Sequence, residues 1–150
     1  MSPEERQAML ARVDALAARL APAAAAHDRA SSFAHEHMAA LHEAGYLRLP
    51  IPRAHGGAGA DVFEMVQAQE HLARGDAASA LVAGMLMSLL GRVMDHDAWP
   101  APVLAAVCRE LAEQGGGINS CVTEPELGSI SRGGVPATTA IPSPGGWRIS

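Results

Sequence analysis

The stretch INSCVTEPELGS, Ile118 to Ser129, alternates apolar and polar residues as a strand does, breaks at Thr123-Glu124-Pro125 and closes on Gly128-Ser129. Residues before it follow a helical period, and residues after it follow the pattern of short strands, so this stretch marks where the chain changes its habit. It also concentrates a hydroxyl, a carboxylate, a rigid proline and a glycine, more chemistry than a plain turn requires.

Upstream, Ser2, Pro3 and Glu5 form a capping box with proline at the first helical position. Met9, Val13, Leu16 and Leu20 follow at helical spacing, leaving Arg6, Arg12 and Arg19 for solvent, and Pro22 with the alanines after it blurs the helix end. A second helix is expected from Ser31 or Ser32, with Phe33, Met38 and Leu41 inward and Gly45 at its end. GYLRLPIPRAHGGAGAD, residues 45–61, holds too many prolines and glycines for either regular period and reads as a structured loop. Asp61 and Glu64 make a second capping box, with Val62, Met65, Val66, Gln69 and Leu72 as core face and Gly75 as the stop. Asp76 then caps an apolar helix reaching about Met94. A last helix opens at Pro100 or Pro102, turns Val103, Leu104, Val107 and Leu111 inward, and halts at Gly115 to Gly117.

Downstream, INSCVT, VPATTAI and GWRIS are rich in β-branched residues and separated by Gly, Pro and Ser. Two or three such strands leave unpaired edges and no closed core, so a truncated β domain is expected. The fold class is mainly α: an N-terminal helical domain over residues 1–117, then the first strands of a β domain over 118–150.

Composition removes several function classes. Hydrophobic residues make up 49% of the chain with few aromatics, which favours helices packed through small and unbranched side chains. All 11 basic residues are Arg, scattered without a cluster, so nucleic acid is not an expected partner. Without any Lys there is no Schiff-base, pyridoxal-phosphate or Walker lysine. Cys108 and Cys121 form no disulfide framework and the N-terminus lacks a secretory pattern, which suits a cytoplasmic protein. The apolar run from Ala77 to Leu90 is short of a membrane span and reads as a buried helix.

HEHM, His35 to Met38, has Ala39 where a metalloprotease helix places its second His, so these read as surface histidines and no metal is expected. HGGAGA and GGGINS lack the third glycine of a dinucleotide fingerprint. Met85, Met87 and Met94 suit core packing more than an acyl-chain cavity. No GxSxG elbow occurs, Cys108 has no activating base, and Arg132 with Gly133 and Gly134 reads as a hairpin turn.

A helical segment running through GYLRLPIPRAHGGAG and EHLARGDAASAL into VTEPELGS, then TTA and GGWRIS, resembles the acyl-CoA dehydrogenase family over nearly the whole chain. The resemblance implies an FAD-dependent oxidoreductase that removes an α-proton and a β-hydride from an acyl-CoA thioester, assembled as a homodimer or homotetramer. It implies that Ser120, Cys121, Val122 and Thr123 lie along the flavin, with main-chain groups on the pyrimidine edge and the Thr123 hydroxyl near N5. Gly128 and Ser129 then meet the pyrophosphate, and Ser129 also meets the substrate's pantetheine arm. The catalytic glutamate of the family belongs to a C-terminal domain, so no catalytic residue is expected here. Ile130, where the family usually has Asp, and the SISRGG run leave open a flavin-dependent monooxygenase on the same fold; a helical oligomerisation module is the non-enzymatic alternative.

Overall fold

The computed structural model describes residues 1–96, 98–120, 123–124, 127–129, 133 and 135–150. The protein is mainly helical and divides into two compact units, Met1–Asn119 and Ser120–Ser150.

The first unit contains α1 (Pro3–Ala30), α2 (His35–Glu43), α3 (Val62–Ala73), α4 (Ala77–Asp95) and α5 (Ala101–Gln114). Both expected capping boxes form: the Ser2 and Asp61 side chains accept from the N–H groups of Glu5 and Glu64, whose carboxylates return to the cap N–H groups. Asp76 caps α4 through the N–H groups of Ala78 and Ser79. Met9, Val13, Leu16, Ala17 and Leu20 form the buried stripe of α1. They join Leu41, Tyr46, Leu47, Leu49, Leu72, Ala83 and Met87 in the main core. A smaller cluster gathers Ile51, Leu90, Cys108 and Ala112 beneath α5.

The loop between α2 and α3 is structured, with 3-10 turns at Tyr46–Arg48 and Arg53–His55. It folds back on itself, Gly59 N–H donating to Ile51 C=O at 2.9 Å and Ala60 N–H to Leu49 C=O at 2.8 Å. A Cβ on Gly57 would collide with the Ile51 carbonyl, so the glycine permits this fold-back.

Several expectations are corrected. Helix α1 runs straight through Pro22 to Ala30, because the alanines after the proline are strong helix formers. Ser31 and Ser32 do not cap α2: Ser31 is the left-handed C-cap of α1 (φ 49°), and α2 starts after Ala34. Phe33, Val62 and Val66, expected inward, are more than half exposed; on α3 the inward face is Glu64, Ala68 and Leu72 instead. Glu64 tolerates that position because its carboxylate meets the Met1 ammonium at 2.8 Å and the Asp61 N–H at 3.0 Å. His37 is not a surface histidine: it is 2% exposed, with Nδ1 2.6 Å from Asp76 Oδ2.

Helix α4 is also not wholly buried. Ala80, Ala83, Met87, Leu90 and Val93 face the core, while Leu81 and Met85 are exposed. By length and composition it could cross a membrane (19 residues, hydropathy 1.6), a property that a core helix with one open face shares.

The second unit holds two separate antiparallel pairs: β1 (Thr123–Glu124) with β2 (Gly128–Ser129), and β3 (Ala140–Ser143) with β4 (Gly146–Ile149). In the second hairpin Pro144 and Gly145 (φ 85°) occupy the two central positions of the turn, as a type II turn favours. Of the VPATTAI strand only its last two residues are in β3, because the N–H groups of Ala137 and Thr138 bond the Glu124 carboxylate instead of a strand. Likewise only Thr123 of INSCVT lies in a strand among the described residues. Ile141, Trp147 and Ile149 are exposed, as expected of hairpins without a packed partner layer.

Candidate functional site

The resemblance assigns six residues to the cofactor, and the structure brings three of them together. Thr123 lies opposite Ser129 and Glu124 opposite Gly128 across the β1–β2 pair. The Leu127 N–H donates to the Glu124 carbonyl at 3.2 Å. Ser120 opens the same unit, and Cys121 and Val122 lie outside the described residues.

Glu124 is a residue that sequence reasoning passed over. Its carboxylate accepts from the Ala137 N–H at 2.7 Å and the Thr138 N–H at 2.9 Å, fastening the hairpin to the segment that leads into β3. The Thr138 side chain and N–H, then the Ala137 N–H, hold its carboxyl below the ordinary glutamate range. It acts as an anionic brace rather than a proton donor. The sequence signal was faint: an acid just before a proline turn, with threonines downstream.

The residues present suit a flavin ring edge. Among the described residues β1 and β2 pair only with each other, so each strand keeps an outer edge of backbone N–H and C=O groups. Such an edge supplies both donors and acceptors, matching the carbonyls and N–H of a flavin pyrimidine ring.

In the helical unit, α3 and α4 enclose a groove of about 520 Å³ lined mostly by apolar groups, including Met65, Val66, Met87 and Met94. Met87 and Met94 thus reach a cavity, whereas Met85 is exposed elsewhere on α4. Gln69 organises the groove wall: it accepts from the Tyr46 hydroxyl and donates from Nε2 to the Ala80 carbonyl at 2.9 Å. Gly84 leaves room for it, since a Cβ there would strike the Gln69 amide. Burial pushes the Tyr46 phenol far above its ordinary range, keeping it a donor. Flexible thioethers around an apolar groove accommodate an acyl chain or another apolar surface.

Comparison with known proteins places these features in context. A family model for the acyl-CoA dehydrogenase N-terminal domain matches residues 3–98. YdbM of Bacillus subtilis (strain 168), named for the acyl-CoA dehydrogenases, is 35% identical over 147 residues, covering 98% of this chain and 38% of its own. The 3-sulfinopropanoyl-CoA desulfinase of Paraburkholderia xenovorans (strain LB400) is 33% identical over 113 residues, 75% of this chain and 28% of the relative. The chain therefore spans less than half the length of these curated relatives. Among solved structures, the methanesulfinate monooxygenase MsuC of Pseudomonas fluorescens matches with a TM-score of 0.72 at 23% identity, over 100% of this chain and 34% of that one. At that identity the likeness is one of fold.

Proposed function

The chain belongs to the acyl-CoA dehydrogenase family, and from that premise we propose that it is the N-terminal portion of an FAD-dependent oxidoreductase acting on acyl-CoA thioesters. The observation that carries the proposal is the β1–β2 hairpin, which sets Thr123 against Ser129 beside Gly128 in a chain whose helical part matches the family.

Bound FAD supplies the acceptor for a hydride leaving the substrate's β-carbon, while the α-proton goes to a base outside these residues. The residues of this chain bind and orient. By the family resemblance, main-chain groups from Ser120 to Thr123 would hold the pyrimidine edge, and the Thr123 hydroxyl would supply a hydrogen bond to the ring. Gly128 would give the pyrophosphate close approach, and the Ser129 hydroxyl would serve its oxygens and the pantetheine arm. Glu124 keeps the hairpin shape through its two backbone partners. The thioester substrate class is supported by relatives that share only that group in their names, acyl-CoA dehydrogenases on one side and a 3-sulfinopropanoyl-CoA desulfinase on the other.

Thr123→Val in the protein expressed with everything its gene encodes tests the assignment, since valine keeps the shape and removes the hydroxyl. Losing one hydrogen bond, about 0.5–1.5 kcal/mol, slows flavin reduction by thioester or weakens FAD binding roughly twofold to tenfold. Unchanged reduction rate together with unchanged FAD affinity would remove Thr123, and this reading of the hairpin, from the site.

A further inference from the structure

The corner between α1 and α2 carries chemistry that flavin binding does not use. His27, in the last turn of α1, and Glu36 and His37, in the first turn of α2, each offer a ligand atom within 4.8 Å of the other two. The left-handed residue Ser31 reverses the chain and brings the two helix ends together. His27 Nδ1 lies 2.8 Å from Ser32 Oγ, and His37 Nδ1 lies 2.6 Å from Asp76 Oδ2 and 3.4 Å from Ser79 Oγ. With both Nδ1 atoms engaged, Nε2 is the remaining ligand nitrogen of each imidazole, and that of His27 already faces Glu36 Oε1. That is the arrangement of metal-binding histidines, whose second nitrogen is held by a carboxylate or hydroxyl that fixes tautomer and ring orientation.

We propose that His27, Glu36 and His37 bind a divalent first-row transition ion of the zinc type, with Ser32 and Asp76 orienting the two imidazoles. Two imidazoles and one carboxylate are the ligand set such ions take, with water completing the coordination. The charges balance, since the carboxylates of Glu36 and Asp76 match a doubly charged ion. His27 Nε2 and Glu36 Oε1 stand 2.5 Å apart as a hydrogen-bonded pair. The ion takes the place of that hydrogen bond, the His27 N–H then lying on Nδ1 toward Ser32 Oγ, and the Glu36 side chain, 61% exposed, swings outward to the roughly 3–3.5 Å that two ligands of one ion require. An open groove of about 520 Å³ borders the site on one side, lined among others by His27 and by the orienting Ser32 and Asp76, and Glu36 opens it to solvent. Without metal the same residues make a helix-corner ion pair, which is the competing role.

Cobalt(II) distinguishes the two, because it reports a low-symmetry nitrogen and oxygen environment through visible ligand-field bands and is displaced by zinc. Titrating the chain with cobalt(II) is expected to give those bands at one ion per chain. His27→Gln and Glu36→Gln, at positions solvent reaches, should each weaken binding at least tenfold while circular dichroism stays helical; Ser32→Ala should weaken it less. His37 is buried, so its substitution is not needed for the test. A titration without ligand-field bands, or bands retained at full affinity in both His27→Gln and Glu36→Gln, would overturn the proposal and leave the ion-pair role.

Discussion

Asp76 joins three parts of the helical unit, and removing its carboxylate has a cost that follows from its contacts. One oxygen accepts from the N–H groups of Ala78 and Ser79 at 3.0 and 3.1 Å, and the other faces His37 Nδ1 at 2.6 Å. Asp76→Ala deletes the N-cap of α4, worth about 1 kcal/mol. It also leaves the Nδ1 of a histidine whose side chain is 3% exposed with only the long 3.4 Å contact to Ser79 Oγ, a further penalty of about 1–3 kcal/mol. The expected loss is about 2–4 kcal/mol, or roughly 8–16 °C in Tm for a unit of this size. Asp76→Asn keeps an acceptor for the cap and a polar partner for His37, so it should lose less than half as much. The dependence on pH has a definite sign. Burial pushes the Asp76 carboxyl up, but bonds from the Ser79 side chain, His37 and the Ser79 N–H outweigh it and hold it below its ordinary value. Its stabilisation is therefore full above the unfolded aspartate range near pH 4 and fades as pH falls through the lower folded value. Urea denaturation of wild type and both variants between neutral pH and pH 3 reads all of this. A loss below about 0.5 kcal/mol in Asp76→Ala, or equal losses in Ala and Asn, would refute the reasoning.

Other consequences are as direct. Gly75→Ala should destabilise the helical unit by about 1–3 kcal/mol in the same denaturation assay, because its Cβ would collide with the Ala17 carbonyl and force α1 away. Cys108 is fully buried and burial raises its thiol pKa, so in a Cys121→Ser background a thiol reagent at pH 8 should react only after denaturant is added. Residues 1–150 by themselves should retain little FAD in a visible spectrum, since the β3–β4 hairpin is exposed and two short hairpins make no closed β core to cover a cofactor.

Much of the helical architecture was legible because its signals are local. Capping residues, apolar spacing and Gly115 (φ 70°) at the end of α5 each act within a turn or two of the helix they set. What could not be read depends on distant partners. Ser31 and Ser32 look like caps for the helix that follows, yet serve the one before, because His27 claims Ser32. His37 looks like a surface residue until Asp76, 39 positions away, is found beside it. Glu64 sits inward because the chain's amino terminus meets it there. The same limit applies to the candidate site. Thr123, Gly128 and Ser129 were readable as a group around a proline turn, whereas the brace from Glu124 to Ala137 and Thr138 needed the fold.

The central claim is that this chain contributes to a flavin site that oxidises an acyl-CoA thioester. Anaerobic titration of the protein, expressed with everything its gene encodes, with short, medium and branched acyl-CoA thioesters tests it most directly. The account predicts that at least one thioester bleaches the visible flavin band with no other reductant present, because the substrate itself supplies the electrons. No bleaching across the panel, together with oxygen-dependent product formation once the flavin is reduced by a separate donor, would contradict it and favour a monooxygenase on the same fold.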